Sequence, residues 1–145
     1  MFERILVAVD GSEYGQKALV TAVEMQKVFQ SELLILTVYH EHRLWAASVS
    51  MVNPALTGST DNVLQQYAQE IAEKSKAYAL EQGVTAVRSF YKGGSRAKTI
   101  LKFGKEYEVN LMVLGSRGLS NSERYILGSV AQKVTSASDR PVLLV

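Results

Sequence analysis

The sequence predicts an α/β fold: a doubly wound, open parallel sheet of five strands with helices on both faces. Short apolar segments alternate with helical patterns along the chain. The apolar segments are nearly continuous in Leu, Ile and Val, which is typical of parallel strands buried on both faces. The 145 residues, 47% of them hydrophobic, match the size of one domain. We therefore expect residues 1–145 to form a single domain with right-handed crossovers.

The predicted strands are short runs, most of them rich in Leu, Ile and Val, and the third follows the glycine that ends the second helix. They cover residues 4–9, 32–39, 85–91, 111–114 and 142–145.

The predicted helices show apolar residues at a period of 3.6. They cover residues 12–30, 61–82 and 96–107, and a fourth helix begins at Ser129. Residues 40–60 lack a clear period and end in turn-forming residues, so they are predicted to be a long loop. The inward stripe of the second helix is predicted to be Leu64, Tyr67, Ala68, Ile71, Ala72, Ser75, Tyr78 and Ala79.

Composition excludes several classes of site. The chain has no cysteine, which rules out disulfides, thiolate metal sites and cysteine nucleophiles. A net charge of +2 is too small to indicate nucleic-acid binding. No signal segment and no apolar run long enough for a bilayer are visible, so we expect a cytoplasmic protein with no membrane contact.

The charge is unevenly distributed along the chain. Residues 1–91 hold 7 Lys and Arg against 10 Asp and Glu, whereas residues 92–145 hold 9 against 4. This basic excess favours an anionic ligand in the second part of the chain.

A glycine motif lies in that basic part. Gly115-Ser-Arg-Gly118 follows the fourth strand, and Gly128-Ser129 comes after nine intervening residues, at the start of a helix. The glycines permit positive φ and a close approach of the backbone to a ligand. The first amides of the helix have no intrahelical acceptor and can bind an anion. The alternative is an ordinary loop and a helix that Ser129 caps.

Asp10 ends the first strand and precedes the turn Gly11-Ser12. Its carboxylate could cap the following helix, as aspartates at such turns commonly do. It could instead accept hydrogen bonds from a ribose, or help to hold a metal ion on a nucleotide.

Three segments together resemble the universal stress protein family: the opening ILVAVDGSE over residues 5–13, the G-x2-G-x9-G-S pattern over residues 115–129, and the closing RPVLLV over residues 140–145. The resemblance covers essentially the whole chain, in order. It implies the strand order 3-2-1-4-5, which periodicity alone cannot fix, and this order sets Asp10 beside Gly115.

The resemblance also implies an ATP site with Mg2+ or Mn2+. Backbone groups near Val9 and Val38 would read the adenine, and Asp10 would meet the ribose or a metal-linked phosphate. The glycine motif would hold the sugar and phosphates, with Arg117 as a cation beside them. The implied nucleotide-binding residues are Ala8, Val9, Asp10, Ser12, Val38, Leu114, Gly115, Arg117, Gly118, Gly128, Ser129 and Val130.

We therefore expect a nucleotide-binding regulatory module of the stress response, with little or no hydrolysis. The alternatives are a nucleotide-free dimeric scaffold and a slow ATPase that phosphorylates itself. No catalytic residue is assigned, because His40 and His42 fall in the unpatterned loop and nothing in the spacing requires Asp10, Glu13 or Glu123 to orient water.

The apolar strand over residues 142–145 is expected at a sheet edge, where unpaired backbone groups invite another chain. A two-fold homodimer through this strand would pair those groups. The resemblance points to the same assembly.

Overall fold

The computed structural model describes residues 1–40, 54–119 and 127–145, and within these the side chains of all but residues 54–61. It contains one five-stranded sheet in the order β3-β2-β1-β4-β5, in which every neighbouring pair is parallel. The strands are β1 Arg4–Ala8, β2 Glu32–Tyr39, β3 Val87–Gly93, β4 Leu111–Leu114 and β5 Val142–Leu144. The predicted fold class and strand order are confirmed.

The helices cover both faces of the sheet. In chain order they are α1 Glu13–Phe29, α2 Pro54–Glu81, α3 Arg96–Glu106 and α4 Ser129–Ala137. Because successive strand residues point to opposite faces, Ile5 and Val7 pack with α1 and α2, whereas Leu6 packs with α3 and α4. Both clusters are almost fully buried, as a doubly wound sheet requires.

The second helix differs from its prediction. It begins at Pro54 rather than at residue 61, so the last part of the predicted loop is helical. Proline suits the first turn of a helix, and the turn-forming residues that follow it cost too little to prevent helix formation. The rest of that predicted loop, residues 41–53, lies outside the described residues. Ala68, Ala72 and Ala79 are buried as expected, but Tyr67 is 52% exposed.

The third strand is shifted by two residues from its prediction. It runs from Val87 to Gly93, because the pairing with β2 extends to Tyr39 opposite Gly93. Gly94, with φ of +145°, then turns the chain into α3. This turn sets the start of α3 beyond the carboxyl ends of the central strands.

Candidate functional site

The carboxyl ends of β1, β2 and β4 open into a cavity of about 420 Å3 that α3 and α4 also line. The chain leaves β1 for β2 on one side of the sheet and reaches β4 on the other, so the cavity lies at the switch point where α/β sheets bind ligands. The lining residues are Ala8, Val9, Asp10, Gly15, Leu36, Val38, Arg96, Ile100, Leu114, Gly115, Arg117, Gly118, Leu119, Gly128, Ser129, Val130 and Ala131.

All but one of the residues predicted for the nucleotide site line this cavity. The exception is Ser12, which caps α1 instead: its hydroxyl accepts a hydrogen bond from the Gly15 amide at 3.0 Å. Sequence reasoning missed six lining residues: Gly15, Leu36, Arg96, Ile100, Leu119 and Ala131.

The Asp10 carboxylate accepts hydrogen bonds at the start of α1 and faces the glycine motif. Its Oδ1 accepts hydrogen bonds from the Ser12 amide at 2.9 Å and the Ser12 hydroxyl at 2.5 Å. Asp10 therefore orients the cap but does not cap the helix itself. Oδ2 receives no hydrogen bond within the described part of the chain, and a Cβ on Gly118 would lie 3.4 Å from it. Oδ2 is thus the carboxylate oxygen left for a ligand.

Gly115 permits a close approach of two backbone segments, and neither Gly115 nor Gly118 has positive φ. Gly11, Gly83 and Gly94 are the described glycines with positive φ, so that part of the prediction for Gly115 and Gly118 is wrong. A Cβ on Gly115 would lie 2.8 Å from the backbone carbon of Tyr14, well inside van der Waals contact. The residue must therefore be glycine for β4 to pass this close to α1.

The start of α4 lies at the cavity with amide groups that have no helical acceptor. Its N-cap is Gly128, not Ser129 as the alternative interpretation had it, and among the described residues no side chain caps the helix. The first helical hydrogen bond runs from the Gln132 amide to the Gly128 carbonyl at 3.0 Å. The amides of Ser129, Val130 and Ala131 therefore have no helical acceptor, and all three residues line the cavity.

Arg117 lies at the side of the cavity formed by the glycine motif. Its Nη1 is 3.5 Å from the Tyr14 hydroxyl, and its Cζ is 5.7 Å from the centre of the Tyr14 ring. Within the described ranges no carboxylate pairs with it, so its charge is not neutralised by the protein there. The side chain is partly buried, which distinguishes it from a loop arginine surrounded by water.

Arg96, the first residue of α3, is a second cation on the cavity wall. Its Nε is buried and has no hydrogen-bond acceptor in the described part of the chain. A buried donor without an acceptor carries a desolvation penalty, which a ligand acceptor would remove.

The described residues contain no group of three His, Cys, Asp or Glu side chains that could hold a metal ion by themselves. His42 and Glu123, which the sequence raised as candidate groups, lie outside the described residues. Across the ranges that the structure describes, no helix is both long and apolar enough to cross a bilayer.

Comparison with known proteins decides the family. The model of the universal stress protein family matches residues 1–145. The chain belongs to the universal stress protein family. It is 39% identical to the universal stress protein YxiE of Bacillus subtilis, over 100% of this chain and 99% of that protein. The structure of the hypothetical protein MJ0577 covers 100% of this chain and 96% of its own, with a TM-score of 0.86 and 26% identity.

Two more distant structures of universal stress proteins contain nucleotides. One is in complex with cAMP; it is 22% identical, has a TM-score of 0.71 and covers 99% of this chain and 96% of its own. The other, from Archaeoglobus fulgidus, is in complex with dAMP; it is 18% identical, has a TM-score of 0.70 and covers 99% of this chain and 97% of its own. At these identities the similarity establishes a shared fold for this universal stress protein.

Proposed function

We propose that this universal stress protein binds ATP in the cavity at the carboxyl ends of β1, β2 and β4. The observation that carries the proposal is the uncapped start of α4, where the amides of residues 129–131 have no helical acceptor at a cavity wall. Backbone amides and the positive end of the helix dipole both favour a phosphate there. The cAMP and dAMP complexes of two relatives with the same fold support an adenine nucleotide as the ligand class.

The rest of the cavity suits a nucleoside. A volume of about 420 Å3 lies within the range of small-molecule pockets. Leu36 and Val38, at the end of β2, and Ile100 on α3 line the cavity and offer apolar surface to a base. The Val9 amide already donates to the Leu36 carbonyl at 3.0 Å, so base recognition near Val9 falls to its carbonyl.

Asp10 and Arg117 complement the amides electrostatically. Arg117 can donate a charge-assisted hydrogen bond to a phosphate, a contact worth about 1.5–3 kcal/mol. Asp10 offers one carboxylate oxygen, Oδ2, to a ribose hydroxyl or to Mg2+ or Mn2+. A single carboxylate suits a metal ion whose other ligands are phosphate oxygens and water, and when bound the ion would neutralise phosphate charge.

The role that we propose is regulatory, in the stress response, with little or no hydrolysis. Of the acidic side chains considered as bases, Glu13 is directed to solvent, where Lys17 lies 3.6 Å away, and Asp10 Oδ1 is held by Ser12. Nothing on the described cavity wall other than Asp10 could accept a proton from an attacking water.

The direct test is mass analysis of small molecules released when the purified protein is denatured, followed by calorimetric titration with ATP and Mg2+. We expect one ATP per chain, or a binding isotherm with that stoichiometry. No nucleotide and no binding heat would favour the nucleotide-free dimeric scaffold. Phosphate release from the ATP complex faster than from ATP in buffer would favour the slow ATPase.

We also propose that the protein is a homodimer in the cytoplasm, paired through residues 142–145. β5 is an edge strand that pairs with β4 on one side. Pro141 and Val145 bond toward β4, since the Met112 amide donates to the Pro141 carbonyl and the Val145 amide to the Leu114 carbonyl. The alternation of a parallel ladder therefore directs the backbone groups of Val142 and Leu144 outward, to where a second copy could pair.

A further inference from the structure

We propose that Arg96 is a specificity-determining residue that donates a hydrogen bond to the base of the bound nucleotide. This inference rests on the proposed nucleotide site and assigns a role to a cavity residue that the glycine motif does not include. Two observations carry it: Arg96 lines the cavity, and its Nε is a buried donor with no acceptor in the described residues.

The strand order sets Arg96 at the base end of the cavity. Arg96 follows β3, and the glycine motif follows β4, which is three places away in the sheet. Neighbouring strands are about 4.8 Å apart, so the two strand ends are separated by roughly 14 Å. The helices α3 and α4 pack beside each other, but Arg96 follows the strand next to β2, whose Val38 lines the cavity. A nucleotide with its phosphates at the glycine motif and its base at Val38 therefore brings that base toward Arg96.

The surroundings of Arg96 also favour a base over a phosphate. Ile100 lies one turn further along α3, on the same helix face, and Val38 lies beyond the last paired residues of β1 and β2. These side chains form an apolar wall on which a planar base can lie. Ring nitrogens and carbonyl oxygens of a base are acceptors, and arginine has donors only, so the two are chemically matched.

Helix stability gives no reason for an arginine at this position. A cation at the N-terminus of a helix is opposed by the helix dipole, and α3 has no acidic residue in its first turn to offset it. Ser95, the N-cap, makes no side-chain cap hydrogen bond. Replacing Arg96 by methionine, which keeps most of the apolar length, should leave the melting temperature of the ligand-free protein unchanged or raise it.

The test compares two ligands and two substitutions. Affinities for ATP and for adenosine are measured by calorimetry or NMR titration on the full chain, on Arg96→Met and on Ser129→Pro. We expect R96M to weaken both ligands by about the same factor, roughly 10- to 100-fold. S129P, which deletes one backbone amide at the phosphate end, should weaken ATP and leave adenosine unchanged. Arg96→Lys keeps the charge without the planar donor group and should recover only part of the loss.

The outcomes separate the two proposals. If R96M binds ATP more weakly but adenosine equally well, Arg96 contacts the phosphates and the inference is overturned. Unchanged affinity for both ligands would also overturn it, because Arg96 would then contact neither part of the nucleotide. A lower melting temperature of ligand-free R96M, with affinities that recover on cooling, would make Arg96 a structural residue. Failure of the unsubstituted chain to bind either ligand would overturn the proposed function itself.

Discussion

Ser129→Pro tests whether backbone amides at the start of α4 hold the ligand. Ser129 is the first residue of the helix, where proline is favoured because its fixed φ is helical and its missing N–H has no helical acceptor. The preceding residue, Gly128, has φ of −70° and ψ of 162°, the extended conformation that a residue before proline adopts. The substitution therefore deletes one amide donor without breaking a helical hydrogen bond.

The expected loss follows from that single donor. A hydrogen bond to a charged group contributes about 1.5–3 kcal/mol, so Kd for ATP should rise about 10- to 150-fold in S129P. Ser129→Ala is the matched control, because it removes the hydroxyl and keeps the amide. The melting temperature of ligand-free S129P should stay equal to or slightly above that of the unsubstituted protein, since proline restricts the unfolded chain.

Calorimetric titration with ATP and Mg2+ measures the affinities, and thermal unfolding without nucleotide measures stability. If S129P and S129A bind ATP with the same Kd while both stay folded, the Ser129 amide does not contact a phosphate. The case for an anion site at α4 would then rest on the Val130 and Ala131 amides alone. A loss of ATP affinity in S129P but not in S129A supports a phosphate site formed by backbone amides.

Four further substitutions test the site, the fold and the dimer. Gly115→Ala should lower the melting temperature by about 3–10 °C, because its Cβ meets the Tyr14 backbone at 2.8 Å. Gly118→Ala should leave the melting temperature unchanged yet weaken ATP, since its Cβ would enter the space beside Asp10 Oδ2; unchanged affinity would place the ligand elsewhere. Arg140→Met should destabilise the fold by about 2–3 kcal/mol in urea unfolding, because the Arg140 side chain donates to the carbonyls of Gly104 and Val109; a cost below about 0.5 kcal/mol would show that water replaces these bonds. Leu144→Pro should give monomers in light scattering with β4 pairing kept, and an unaltered dimer would move the interface away from β5.

The sheet could be predicted from the sequence because each strand carries its own signal. Four of the five predicted strands agree with the structure to within one residue, and the continuous burial of β2 and β4 is what their unbroken apolar runs indicated. The third strand is less apolar and lies at an edge, so its limits depend on its pairing with β2 rather than on its own residues. A pattern within one segment cannot contain that information.

Tyr67 shows that helical periodicity is not always sufficient to predict whether a side chain is buried. It lies next to Ala68 at the margin of the apolar stripe, and a period of 3.6 does not decide between burial and exposure at a margin. In the structure most of its side chain is exposed, and its hydroxyl lies 3.1 Å from where a Cβ of Gly11 would be. Its environment is set by the turn after β1, a contact between residues 56 positions apart. Contacts at this separation follow from topology and not from local pattern.

At the candidate site, the environment of Arg96 likewise depends on the topology and not on the local sequence pattern. In the sequence it is the first of four cations, with Lys98, Lys102 and Lys105, and such a series on a helix normally marks a face in solvent. The three lysines are indeed exposed, but Arg96 begins α3 where that helix meets the cavity. The glycine motif predicts the proposed phosphate end because phosphate recognition uses backbone amides, which need glycines and a helix start at fixed spacing. The proposed recognition of the base uses single groups from separate strands and helices, so only the strand order can bring these residues together.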